Sequence, residues 1–207
     1  MLKITIVKED PEVDLRLRMF GVTRDELLMV IEAAVSARAD AVPHDPNNAG
    51  GLFSWIYGTR TLRDVFAAKG WLADTTKNVP SIRDPKTETK IIFQNTDSAC
   101  DANHPKAVAG KGMASEEIVS LSTAYLFADM EERRQKKLNG TVWFLCIYAN
   151  GDDVRAELSL PKGIKGGQFS GFIERIFVLK HGEWPVTPTK KNQDAEIQDL
   201  DISVTRK

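Results

Sequence analysis

Residues with chemistry to offer are concentrated between positions 95 and 114. Asp97, Cys100, Asp101, Asn103 and His104 lie close together in a polar stretch that follows a short apolar run, Ile91-Ile92-Phe93. Two carboxylates and an imidazole are the donor types of a divalent-metal site, with the aspartates as hard oxygen ligands. On that basis Asp97, Asp101 and His104 are the catalytic set if the protein is a metal-assisted hydrolase. Cys100 and His104 are also the residue types of a thiolate–imidazole pair. Neither set has the spacing of a known metal motif, and no second Cys-His cluster completes a zinc site. The plainer alternative is turn chemistry, in which Asp and Asn bond their own backbone. No metal and no cofactor is assigned from the sequence.

Further on, Ala109-Gly110-Lys111-Gly112 combines glycines, a cation and an approaching helix start. These are the parts of an anion site, because glycine lets backbone amides converge and a helix N-terminus offers free N–H groups. The segment is not a phosphate-binding P-loop. Pro105 stands where the first glycine belongs, and Gly112 where Ser or Thr should follow Gly-Lys. Glu116 and Glu117 also set negative charge at the same helix end. A solvated glycine loop is the competing description.

Arg60 and Arg63 lie three apart beside Trp55, with Lys69 and Trp71 just beyond. Guanidinium groups next to aromatic rings hold phosphates and stack on bases. A solvated helix face gives the same pattern. Glu88-Thr89-Lys90 matches half of a metal-dependent nuclease motif, yet the apolar run follows it instead of leading into it. Arg155 and Glu157 share one face of a strand, opposite Glu174 and Arg175 on the next. A cross-strand ion pair is the simple expectation, and a charged ligand floor the sharper one.

The elements that must position these residues are legible in part. Leu2 to Lys8 reads as a strand, and the alternation of Val13, Leu15, Leu17 and Met19 as a second strand, giving an N-terminal hairpin. Thr23 and Glu26 have capping-box spacing, and the apolar stripe behind them predicts a helix over about 24–38. Leu52, Trp55, Ile56, Leu62 and Phe66 recur at helical spacing, with Gly58 allowing either one helix or a break and restart near Thr61. Residues 73–87 are turn-rich, and 89–94 form a strand. Ser115 is the expected N-cap of a helix over about 116–138, whose last turns carry Arg133, Arg134, Lys136 and Lys137. The run Thr141 to Ala149, the turn Asn150-Gly151, the alternating stretch Val154 to Leu160 and the stretch Phe172 to Leu179 give three successive strands.

Helices and strands do not alternate strictly. The expected fold is therefore α+β, a mixed or mainly antiparallel sheet with about three helices packed mostly on one side. Residues 1–184 read as one domain and 185–207 as a polar tail, with an edge strand conceivable near Ile202. The 207 residues carry 28 Lys+Arg and 29 Asp+Glu, a formal net charge of −1, which excludes binding of nucleic acid by bulk positive charge. A composition of 42% hydrophobic residues suits a packed core. Two cysteines, no apolar stretch fit for a membrane and an N-terminal run too short for a signal-peptide core place the expectation in the cytoplasm.

Three functions compete on these residues. The first is binding of a phosphate-bearing ligand, nucleic acid above all, by Arg60, Arg63, Lys106 and Lys111. The second is a protein–protein interaction module without catalysis. The third is a metal-assisted hydrolase or nuclease. The sequence ranks them in that order without assigning enzyme or non-enzyme.

Overall fold

The computed structural model describes residues 4–126 and 140–185. Among them the chain runs β1 (Thr5–Val7), α1 (Asp10–Arg18), α2 (Arg24–Ala39), α3 (Ala49–Ala67), β2 (Leu72–Asp74), a 3-10 turn (Thr76–Asn78), β3 (Ser81–Arg83), β4 (Lys90–Asn95) and α4 (Met113–Leu126). It continues with β5 (Val142–Asn150), β6 (Asp153–Pro161), a small β7 (Ile164–Lys165) and β8 (Gln168–Phe169) hairpin, and β9 (Phe172–Leu179). Seven strands form one mixed sheet in the order β1-β9-β6-β5-β4-β3-β2. The pairs β4–β5 and β1–β9 are parallel and the others antiparallel. This is the α+β class that the element order predicts.

The N-terminal hairpin does not form. Residues 10–18 are helical, and β1 pairs in parallel with β9. Val13 and Leu17 are 0% exposed, whereas Leu15 and Met19 are 64% and 70% exposed. The alternating apolar pattern was thus the coincidence, and the i,i+4 pair within it carries the packing. Pro11 in the first turn, Asp10 and Glu12 beside it, and Arg16 and Arg18 in the last turn all suit a helix. Arg16 then grips Glu174 on β9 in a two-pronged contact of 2.6 and 2.7 Å.

The Thr23–Glu26 capping box opens α2 as its spacing predicts, with Glu26 N–H donating to Thr23 Oγ1 and Thr23 N–H to Glu26 Oε2. Helix α3 runs unbroken through Gly58. A Cβ at that position would lie 2.2 Å from the buried Phe93 ring, so glycine there lets the helix settle on β4. Helix α4 begins at Met113, two residues before the expected cap, and Ser115 lies inside its first turn with its N–H on Gly112 O. The basic helix end expected near 131–137 and the tail 186–207 lie outside the described residues.

Helices α1, α2 and α3 cover one face of the sheet, where Ile91, Phe93, Trp143, Leu145, Val154 and Ile176 form the main core with them. On the opposite face Ile92, Phe144 and Cys146 meet Val119 of α4 and Ile164 of the small hairpin. Coverage on both faces is why β5 reads as a continuous apolar run. Among the described residues no helix is long and apolar enough to cross a membrane.

Candidate functional site

Strand β4 ends at Asn95, beside the end of its parallel partner β5, and the irregular segment after it folds back over the sheet. Three sets of contacts fix that return. Thr96 bridges Ala107, and Val108 N–H donates to Asn95 O. The Gln168 amide accepts from Ala107 N–H at 2.9 Å and donates to Ala107 O at 3.0 Å. Lys111 N–H donates to Gly167 O at 2.9 Å, seating the lysine against the small hairpin. From the other side, Asn95 ties down the start of α3 by donating to Gly51 O and accepting from Ser54 Oγ, each at 2.9 Å.

Between these anchored walls lies a cavity of about 360 Å³, lined by Leu52 and Trp55 of α3, Gln94 and Asn95 of β4, and Val108 and Lys111 of the returning segment. Lys111 Nζ sits 5.3 Å from the centre of the Phe144 ring, on the sheet. Among the described residues it has no carboxylate partner. Burial alone pushes its pKa down to about 8, and the Cys146 sulfur only partly offsets this. The site is a lone, partly desolvated ammonium in a pocket whose walls are mostly apolar.

The other predicted cations lie elsewhere. Arg63 donates to Asp74 O at 2.8 Å and Ser81 O at 3.3 Å, which joins α3 to β2 and β3. Arg60 is exposed, with its guanidinium 4.8 Å from the Tyr57 ring. Lys106 is exposed on the loop, with its N–H on Asp97 Oδ1. Of the four, Lys111 lines the cavity and the other three do not. Glu117, expected to oppose an anion at the start of α4, is turned to Lys77.

The Asp/His set is spread along its loop. Asp97 Oδ1 accepts from Lys106 N–H and Ser98 Oγ. Asp101 receives Arg175 Nη1 on its carbonyl at 3.0 Å, and its carboxylate bonds Ala102 N–H. His104 packs its ring on Phe172 at 5.5 Å. Among the described residues no group of three or more His, Cys, Asp or Glu side chains is placed to hold a metal ion. Cys100 donates its thiol to Ala156 O and Leu179 O, and burial followed by the Glu157 charge pushes its pKa well up, so the thiol stays protonated. Glu88 and Lys90 turn to different partners, Arg83 and Asp74.

The Arg–Glu pair does form across strands, between Glu157 and Arg175, at 2.7 and 2.8 Å with side chains 0% and 1% exposed. Ser159 Oγ and the Cys100 N–H supply further donors to the carboxylate. Cys100 takes a left-handed φ of 53° to do so. This knot holds the root of the loop that Lys111 closes.

Sequence reasoning found Lys111 and Trp55 but not Leu52, Gln94 or Val108 as their neighbours. The readable signal was Gln94-Asn95, two amides ending an apolar strand. Comparison of the chain with protein-family models, with curated proteins and with solved structures gave no match in any of the three.

Proposed function

We propose that the protein binds a phosphate-bearing ligand, nucleic acid in the first place, with a phosphate oxygen on Lys111 and an apolar or aromatic part of the ligand against Leu52 and Trp55. The observation that carries this is the Lys111 ammonium, half-buried beside a cavity without a carboxylate partner among the described residues. A desolvated cation of this kind is costly on its own, and an incoming anion relieves the cost. Gly110 in the cavity wall brings backbone close to the ligand without a side chain in the way.

The proposal has a pH signature. With a pKa of about 8, Lys111 is charged in roughly nine molecules of ten at pH 7. An anion favours the charged form, so affinity is full below pH 8 and falls above it, approaching tenfold per unit until the pKa of the complex is reached. Anisotropy titrations with a labelled single-stranded oligonucleotide test this. Affinity should fall with rising salt as counterions are released, and Lys111→Met should remove the pH dependence with most of the affinity. Absence of oligonucleotide binding at low salt, or binding indifferent to Lys111→Met, refutes the proposal.

A further inference from the structure

Asn48 and Gly51, at the start of α3, line the same cavity as Lys111. Asn48 stands at the N-cap, but its side chain makes no capping hydrogen bond, and no acid lies in the first turn. Asp45, a little earlier in the chain, is turned to the Val42 N–H. Ala49 N–H goes to Pro46 O and Leu52 N–H to Asn48 O, while the N–H groups of Gly50 and Gly51 have no partner among the described residues. A Cβ on Gly51 would meet nothing within 4 Å, so a ligand oxygen can come up to the backbone there. Two free amides at the positive end of a 19-residue helix attract an anion.

Gln94 makes a demand of the opposite sign on the same cavity. It lines the wall and is only 4% exposed. Its Nε2 donates to Asn95 O at 2.7 Å, which fixes the orientation of the amide. Oε1 is then the end left without a hydrogen-bond partner among the described residues. A carbonyl oxygen accepts only, so it repels a phosphate oxygen and calls for a donor. A ligand that displaces water from this cavity has to replace the hydrogen bond that water gives Oε1. The ligand therefore carries a donor a short way from its phosphate.

We infer that the strand bound here is RNA: one phosphodiester is held between the Gly50 and Gly51 amides and the Lys111 ammonium, and the ribose 2′-hydroxyl beside it donates to Gln94 Oε1. This rests on the phosphate binding proposed above and names the ligand of that site. A DNA backbone has no hydrogen-bond donor between its ends, so it would take water from Oε1 and leave the oxygen unpaired. In RNA the 2′-hydroxyl is such a donor, present beside every phosphate whatever the base. Leu52 and Trp55 offer the neighbouring base an apolar surface that any base can use.

Anisotropy titrations of the full chain at low salt test this with oligo(U), oligo(dU) and 2′-O-methyl oligo(U) of one length, which differ only at the 2′ position. Oligo(U) should bind about tenfold tighter than either of the others, because both lack the donor. The methyl ether keeps the ribose and an acceptor oxygen, so it separates the hydrogen bond from the sugar's shape. Oligo(dU) or the methyl ether binding within about twofold of oligo(U) overturns the inference. Gln94→Met should bring the three strands to one affinity, and a preference for oligo(U) that survives it overturns the inference too. Asn48→Asp sets a carboxylate at the start of α3, where it favours the helix and opposes an anion. It should raise Tm while weakening all three strands, and undiminished binding would remove the phosphate from the α3 amides. Lys111→Met separates the two levels. If it weakens all three strands together while the native protein does not distinguish them, phosphate binding stands and the choice of RNA falls. If no strand binds the native protein, both fall.

Discussion

The second face of the sheet holds two cations in opposite circumstances. Arg175 is fully buried, yet Glu157 meets it with two hydrogen bonds, and Ser159, Cys100 and the Asp101 carbonyl satisfy what remains. Lys111 reaches the same layer across Phe144 and finds no carboxylate among the described residues. The hydrogen bond and charge of Glu157 outweigh burial and keep the Arg175 pKa up, while burial alone pulls that of Lys111 down. A buried charge whose partners are supplied by the protein is architecture. A half-buried charge that opens on a cavity and lacks such partners is destabilising unless something from outside supplies one. The difference between the two regions is why the proposed site is placed at Lys111 and not at the more conspicuous ion pair.

Removing a partner from the satisfied pair tests that contrast most severely. Glu157→Ala leaves the Arg175 guanidinium buried without an anion, and urea denaturation should show a loss of about 3–5 kcal/mol. A loss under about 1 kcal/mol would mean that the pair is not isolated from water, and the contrast would collapse. Lys111→Met should act in the opposite direction. By removing an uncompensated charge it should stabilise the unliganded protein by about 1 kcal/mol while removing most of the ligand affinity, the usual opposition of stability and function.

The same lysine predicts how native stability changes with pH. Its folded pKa, about 8, lies below the ordinary 10.5, so between these values the unfolded chain holds more protons than the folded one. Stability from this group therefore rises with pH across that window, and the rise should vanish in Lys111→Met. A flat native profile between pH 8 and 10.5 would show that Lys111 is not desolvated. Smallest of all should be Arg155→Ala. Arg155 pairs with Asp153 at 2.5 Å near the surface, and its loss should cost under about 1 kcal/mol. An effect as large as that of Glu157→Ala would show that burial does not rank these charges.

Much of the framework was legible in the linear chain, because its signals span only a few residues. The Thr23–Glu26 cap, the Asn150-Gly151 turn and the alternation along β6 each depend on near neighbours, and each forms. Residues 10–18 misled because Val13 and Leu17 fit a strand and a helix equally well, and the local signals that favour the helix, Pro11 and the acidic first and basic last turns, were outweighed by the alternation. Gly58 could not be read as a contact, since its reason is a Phe93 ring on another element.

What the sequence determined by itself was the supply of groups: a balanced charge, an irregular glycine-bearing segment with two lysines, and strands carrying Glu157 and Arg175. Which cation would be satisfied was decided only in three dimensions. Cys100 meets Glu157 across 57 residues of chain, and Arg63 is taken up by the carbonyls of β2 and β3. A charge is stabilised by what lies within a few ångströms of it, and that neighbourhood is assembled by the sheet from distant parts of the chain.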